Sequence, residues 1–421
     1  MDNLLYWIWL SLACTPGTST FASLLTKFSN AEEIYAADEY SLRGVIGNRI
    51  SDRSALLKKD LTKAKEILEF CNKKQVGIVT YGDSSYPDLL RKIPNPPVLL
   101  YYRGVWQDFN SGNFFVSIVG TRWISEYGRK NTFVIARDLA RAGAIVVSGM
   151  AKGIDGIAMA GAISSGAPTV AVIGSGIDIC YPPQHITLAR EIVKNGCVIT
   201  EYAPGTPPHK ANFPKRNRII SGLSRATLVM EGDNRSGALI TARCAQEQKR
   251  DLYALPGNVG NPGSEGTNLL LMNGAKAFVS ADDIVRDYEK EFSGRLNPFK
   301  LAEATPFDMN EELSRLKICA VAPSDDIFNT KPERRVKRQD KIEPALKVAA
   351  EAPIPQKVEP QPNFDKLTLN IYKRIPAEGE ILIESLLDDE TNLRLLMKAL
   401  LKLEMGGFVR MLPGEKVMRN I

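Results

Sequence analysis

The chain has 421 residues, 44% of them hydrophobic and 24% charged, and a formal net charge of +6; it is globular in composition and too long for one hydrophobic core, so two or three domains are expected. Such a mild cationic excess is compatible with a polyanionic partner without requiring one, and the distribution of charge has to decide. The six cysteines, at 14, 71, 180, 197, 244 and 319, form no C-x-x-C pair and have only His185 and His209 as possible co-ligands, so no structural zinc site is expected and a reducing cytoplasm fits better than a disulfide framework.

The chain begins with an apolar run, "LLYWIWLSLA". Asp2 precedes it where a secretory signal would carry positive charge, and a polar helical pattern follows, so the run reads as a core helix rather than a signal peptide or membrane span. With "TFASLLTKF", "DLTKAKEILEFCNKK" and the tight Pro16-Gly17 connection it makes residues 1–80 a small helical domain. Between Gly82 and Gly104 the chain is Pro-rich and half apolar, the texture of a connecting segment packed on a core.

From Phe114 to Ser280 the texture changes. The runs "FFVSIV", "AIVVS", "TVAVI", "CVIT", "ATLVM" and "DLYAL" alternate with helical patterns. Continuous rather than alternating hydrophobicity implies strands buried on both faces, hence a parallel sheet with crossover helices and an α/β core over 81–288. Residues 289–363 read as a charged, Pro-rich linker. In 364–421, helical patterns lead to Gly406-Gly407, an apolar strand, a Pro-Gly turn and another strand, which predicts a winged helix.

In a doubly wound sheet, ligands bind beyond the carboxyl ends of the strands, so the loops there are the ones to inspect. After the first parallel strand come Gly120, Thr121 and Arg122, then a helix beginning near Tyr127; the glycine admits backbone amides to an anion and the arginine adds a planar cation. Gly149 and Gly153 offer a second cradle, whereas Ala158, Ala160, Gly161 and Ala162 suit close helix–sheet packing. "AVIGSGIDICYPP" has neither the third glycine nor the ribose-binding acid of a dinucleotide site, so no nicotinamide cofactor is expected. Ser236 and Gly237 open a helix, either as a phosphate seat or simply as its cap.

The densest stretch is "KANFPKRNRIISG", residues 210 to 222. Pro214 suits a first helical position, leaving Asn212 and Phe213 just outside the helix and Lys210 on a loop. At about 100° per residue, Ile219, Ile220 and Leu223 share the buried face with Lys215 and Arg218 on the opposite flank. Arg216 falls on the buried face, where it must pair with a carboxylate or aim at an anion. An aromatic ring three residues after a lysine suits a base stacked on the ring while cations follow the backbone.

Taken together, "IVGTR", "SGMAKGID", "YPP", "NFPKRNRIISGLS", "RSGALITA", "LPGN" and "EGTNLLLMNGA", in this order and spacing, closely resemble the DprA/Smf family (DNA processing protein A) over roughly Tyr81 to Val285. Weaker similarity links the N-terminal helices to that family's helix-hairpin-helix or SAM-like domain and the C-terminus to its winged helix. The resemblance implies a Rossmann-like core that binds single-stranded DNA without cleaving it, dimerises, protects incoming DNA and loads the RecA recombinase during natural transformation. It implies a DNA-binding set of Gly120, Thr121, Arg122, Lys152, Gly153, Lys210, Asn212, Phe213, Lys215, Arg216, Asn217, Arg218, Ser236 and Gly237, with no cofactor or metal. The competing expectation is a nucleotide-processing enzyme of the phosphoribohydrolase type on a related fold; against it, "SGALITAR" has no acid directly after its glycine, and the loops carry no paired carboxylates or Ser-His arrangement.

Overall fold

The structure, a computed structural model, describes residues 2–47, 50–301, 308–316, 318, 366–376, 380–386, 393–405, 408–412 and 416–419. They fall in two compact units, Met1–Arg335 and Val336–Ile421.

The first unit opens with α1 (Asp2–Ala13), α2 (Thr20–Leu24), α3 (Ala31–Ala36), α4 (Glu39–Ile46), α5 (Ile50–Leu57) and α6 (Thr62–Lys74). Trp7, Ile8, Trp9 and Leu10 of α1 are all buried, in one cluster with Ile34, Leu56, Ile67 and Cys71, so the apolar run is a core helix. No described helix is long and apolar enough to cross a membrane. The Pro16-Gly17 connection is a turn with Gly17 at φ +75°, closed by the Thr18 N–H donating to the Thr15 carbonyl at 3.2 Å. It is tied inward by the Thr15 and Thr20 hydroxyls, which donate to the buried Asp52 carboxylate.

The sheet elements follow in order: β1 (Gly77–Thr80), α7 (Asp88–Arg91), β2 (Leu99–Gly104), β3 (Phe115–Val119), α8 (Glu126–Arg141), β4 (Ile145–Ser148), α9 (Ile154–Ser164), β5 (Thr169–Val172), α10 (Ile186–Asn195), β6 (Cys197–Thr200), α11 (Asn212–Gly222), β7 (Ala226–Val229), α12 (Gly237–Glu247), β8 (Asp251–Ala254), α13 (Pro262–Met272), β9 (Lys276–Ala277) and α14 (Ala281–Tyr288). They form a nine-stranded sheet of order β1-β2-β6-β5-β4-β3-β7-β8-β9. From β3 to β9 every pairing is parallel, while β2 runs antiparallel to both β1 and β6. The expected parallel α/β core is therefore present, extended by an antiparallel pair. The stretch read as a connector holds β2: the prolines before "LLYYRG" hide a strand whose Tyr102 pairs with Gly77.

Side chains alternate across the sheet. Val116 and Ile118 of β3 join Ile135, Ala158 and Ile284 of α8, α9 and α14 on one face, and Phe115 and Val119 join Leu90, Ile220 and Ala242 of α7, α11 and α12 on the other. Strands β3 to β6 are laid down outward in one direction, and β7 returns to the far side of β3. That reversal places the topological switch point, where such folds open a crevice, between the loops after β3 and β7.

Packing continues past the expected core boundary. Tyr288 and Leu296 are buried in the α8–α14 cluster, and after α15 (Met309–Arg315) Leu316 is fully buried in the cluster that joins α9 and α10 to the N-terminal helices. Most of the expected linker, 319–363, lies outside the described residues. The second unit contains α16 (Lys366–Arg374), β10 (Glu380–Leu382), α17 (Leu393–Met405), β11 (Val409–Leu412) and β12 (Lys416–Arg419), the strands forming an antiparallel sheet of order β10-β12-β11. Its core joins Ile371, Ile375, Leu396, Leu400 and Val417.

Candidate nucleic-acid interface

At the switch point the loops after β3, β4, β5 and β7 and the start of α11 enclose a cleft of about 480 Å³. It brings together Gly120, Thr121, Arg122, Lys210, Phe213, Arg216, Asn217, Ser236 and Gly237 of the expected set, and adds Trp123, Asp155, Tyr181 and Asp233. Lys152, Gly153, Asn212, Lys215 and Arg218 are not among its lining residues.

The β3 loop is held by its backbone. Thr121 donates its N–H to the Glu231 carbonyl at 2.7 Å and accepts from the Ile154 N–H at 3.1 Å, which clamps the loop between the end of β7 and the start of α9. A Cβ at Gly120 would meet Ile154 Cβ at 2.8 Å and the Glu231 carbonyl oxygen at 2.9 Å. Gly153 sits at φ +79°, and a Cβ there would lie 2.8 Å from Arg122 Cα. The expected anion cradle at Gly153 is thus filled by the chain's own backbone, and the glycine's role is to let two loops touch.

Helix α8 also differs from expectation. Ser125 caps it, its hydroxyl accepting from the Gly128 N–H at 3.0 Å. The anion at this helix start is internal: the Ser125 N–H donates to Glu231 Oε2 at 3.1 Å, and Gly128 leaves room for that buried carboxylate.

Helix α11 begins at Asn212, with Ala211 at the N-cap, so Pro214 is its third residue rather than its first. The first turn needs no intrahelical acceptor for its N–H groups, and a proline is tolerated there. Asn212 donates through Nδ2 to the Gly174 carbonyl at 3.1 Å, and Asn217 likewise to the Gly237 carbonyl at 3.4 Å, anchoring the helix to the neighbouring loops. Phe213 is half-buried and lies within the helix, not outside it. Its ring centroid is 5.4 Å from that of Tyr181, with the guanidinium of Arg122 at 5.5 Å and that of Arg216 at 6.0 Å.

Arg216 is 3% exposed. Its Nη1 donates to the Val172 carbonyl at the end of β5, and its Nε is buried without a protein partner. Asp155, also buried, faces it across Gly149, where any side chain would collide with both groups. Burial pushes the Arg216 guanidinium down to about 10 against the pull of Asp155, and burial raises the Asp155 carboxyl against the pull of Arg216. Each group thus sits in a desolvated place beside its opposite charge.

Arg218 departs most from the sequence reading. Instead of a solvated flank it has a buried environment, donating from Nη1 and Nη2 to Glu201 at 3.0 and 2.7 Å. The cause is tertiary: the Thr15–Thr18 turn and Phe21 of the N-terminal helices cover this side of α11. The Lys215 stem lies along the same turn, its Cγ 3.2 Å from where a Cβ on Gly17 would stand. Lys152 is exposed at the approach to α9. Ser236 caps α12, its hydroxyl accepting from the Ala238 N–H at 3.3 Å.

Sequence reasoning missed Asp155, Tyr181, Glu231 and Trp123, and took Gly149 for part of an anion cradle where it makes room for Arg216 and Asp155. "CYPP" and "GTRW" put two of these beside quoted motifs, but nothing local marks Glu231 as an internal anion.

A family model described as "DNA recombination-mediator protein A" matches residues 77–289. The chain belongs to the DprA/Smf family. Among similar relatives, a protein Smf from Synechocystis sp. is 36% identical over 284 residues, 66% of this chain and 71% of that protein. A DNA processing protein DprA from Bacillus subtilis is 34% identical over 281 residues, 66% and 94% of the two chains. An X-ray structure of DprA from Streptococcus pneumoniae superposes with a TM-score of 0.59 at 31% identity, covering 68% of this chain and 98% of that one. The segment matched to the DprA/Smf model runs from β1 to the end of α14, so the antiparallel edge pair is included in it along with the cleft.

Proposed function

We propose that this chain is a non-enzymatic, cytoplasmic DNA-binding protein whose cleft holds single-stranded DNA, protects it, and passes it to a RecA-type recombinase during uptake or recombination of DNA, working as a homodimer. The observation that carries this is the grouping in one cleft of the exposed cations of Arg122 and Lys210 with the half-buried ring of Phe213, a phosphate contact next to a base contact. The DNA-processing relatives support it. The carboxylates lining the cleft are Asp155, which faces Arg216, and Asp233, whose Oδ1 accepts from the Arg235 N–H; both being engaged within the protein supports a binding role over a phosphoribohydrolase.

The test is the affinity of the full chain for an oligo-dT and for a duplex of equal length across a salt series, with and without RecA. Tighter single-strand binding is expected, and Arg122→Ala and Lys210→Ala should each flatten the plot of log K against log salt by about 0.7. Tighter duplex binding, or no change in slope, overturns the reading; failure of RecA to assemble faster on the bound strand removes the loading role alone.

A further inference from the structure

Trp123 is 91% exposed, although tryptophan is rarely left so open to water. The other tryptophans are covered: Trp7 and Trp9 are in the N-terminal core, and Trp106 is half-buried between the rings of Tyr102 and Phe109. Trp123 lines the cleft, directly after Arg122. Its backbone is not loose, because the Trp123 N–H donates to Thr121 Oγ1 at 3.1 Å and Thr121 is itself clamped to β7 and α9. A rigid loop therefore presents a bare indole at a cationic opening.

The two rings of the cleft differ in how much of them is already used. Phe213 has Tyr181, Arg122 and Arg216 around it and is half-buried. The Arg122 guanidinium lies over the Phe213 ring, and the exposed indole of the next residue lines the same cleft. An open aromatic face beside cations matches a nucleobase flanked by phosphates, and such stacking tolerates any base because every base has a π-face. An apolar peptide would gain nothing from the cations of Arg122 and Lys210, which line the same cleft.

Resting on the reading of the cleft as a single-strand groove, we infer that Trp123 is a second base-stacking platform, taking a nucleotide next to the one held at Phe213.

Fluorescence anisotropy of a labelled dT20 strand, and of a strand of equal length made of abasic residues, tests it on the full chain with Trp123→Ala and Trp123→Phe. Trp123→Ala should weaken dT20 binding roughly 5- to 150-fold without changing the salt slope, Trp123→Phe should restore most of it, and both should melt like the wild type because the indole packs against little. On the abasic strand wild type and Trp123→Ala should bind equally. Equal binding of dT20 by Trp123→Ala and wild type, while Arg122→Ala and Lys210→Ala still lose affinity, overturns the platform and leaves the groove standing. An equal loss on the abasic strand also overturns it, since the indole would then act without a base. If wild type binds no single strand at all, the groove and the platform fall together.

Discussion

Arg216 and Arg218 stand two positions apart on one helix and are both buried, yet they answer to different partners. Arg218 is paired with Glu201 through two hydrogen bonds, so its removal leaves a buried carboxylate alone. Arg218→Ala should cost about 3 to 5 kcal/mol in urea denaturation, and Arg218→Met with Glu201→Leu should recover much of it. Single-strand affinity, measured where the protein is still folded, should barely move. Arg216→Ala also strands a buried acid, Asp155, at about 1 to 3 kcal/mol, but it should in addition weaken DNA binding. A fully stable Arg218→Ala with poor DNA binding would reverse the two assignments. In the sequence, periodicity placed Arg216 on the buried face of its helix. It misplaced Arg218 because a helical wheel knows one sheet and not a second layer: the residues that cover this flank come from positions 15 to 21.

At the scale of elements, what was legible was the set of strands β3 to β8, whose unbroken apolar runs carry their own signal, and the loops that follow them. The edge pair β1-β2 was not, because β1 follows directly on a long helical pattern and the prolines before β2 read as a connector, and the start of α11 was misread by two residues because a proline suits any position in a first turn. Loop–loop contact at Gly153 yields a prediction at this scale. Gly153→Ala combines a left-handed φ with a collision against Arg122 Cα, whereas Gly166, at φ +77°, has nothing within 4 Å of a built Cβ. Gly153→Ala should cost about 1 to 3 kcal/mol and shift the Arg122 loop enough to weaken single-strand binding; Gly166→Ala should show a smaller loss of stability with affinity intact. The capping of α14 gives a pH-dependent case. The Val279 N–H, first, and the Ser280 groups hold the Asp283 carboxyl below its ordinary value of 3.8. A depressed carboxyl contributes stability above its ordinary value and loses it as pH falls through the folded one. Asp283→Asn should therefore be less stable than wild type by about 1 kcal/mol at neutral pH, with the gap closing on acidification below 3.8.

For the whole molecule, the packing of Tyr288, Leu296 and Leu316 suggests where the core can be cut. We propose the end of the core after Ile318 rather than near Asp287, with the C-terminal unit, read as a winged helix, separable beyond it. A chain ending at Ile318 should keep the thermal transition of the core and its single-strand affinity. One ending at Asp287 discards three buried side chains worth about 1.5 to 3 kcal/mol each and should melt earlier or not fold. Equal melting of the two truncations would return the boundary to the sequence-based position.

The Glu231 carboxylate at the start of α8 bears on what size of ligand the crevice can favour. In many α/β folds that helix start is the strongest seat for a lone phosphate, and here the protein has already seated an acid in it. A free mononucleotide is thereby denied its best grip. A polymer is not, because it collects many modest contacts whose effective concentrations multiply along one chain. Affinity should accordingly climb steeply with oligonucleotide length, and a mononucleotide in large excess should fail to displace a bound strand.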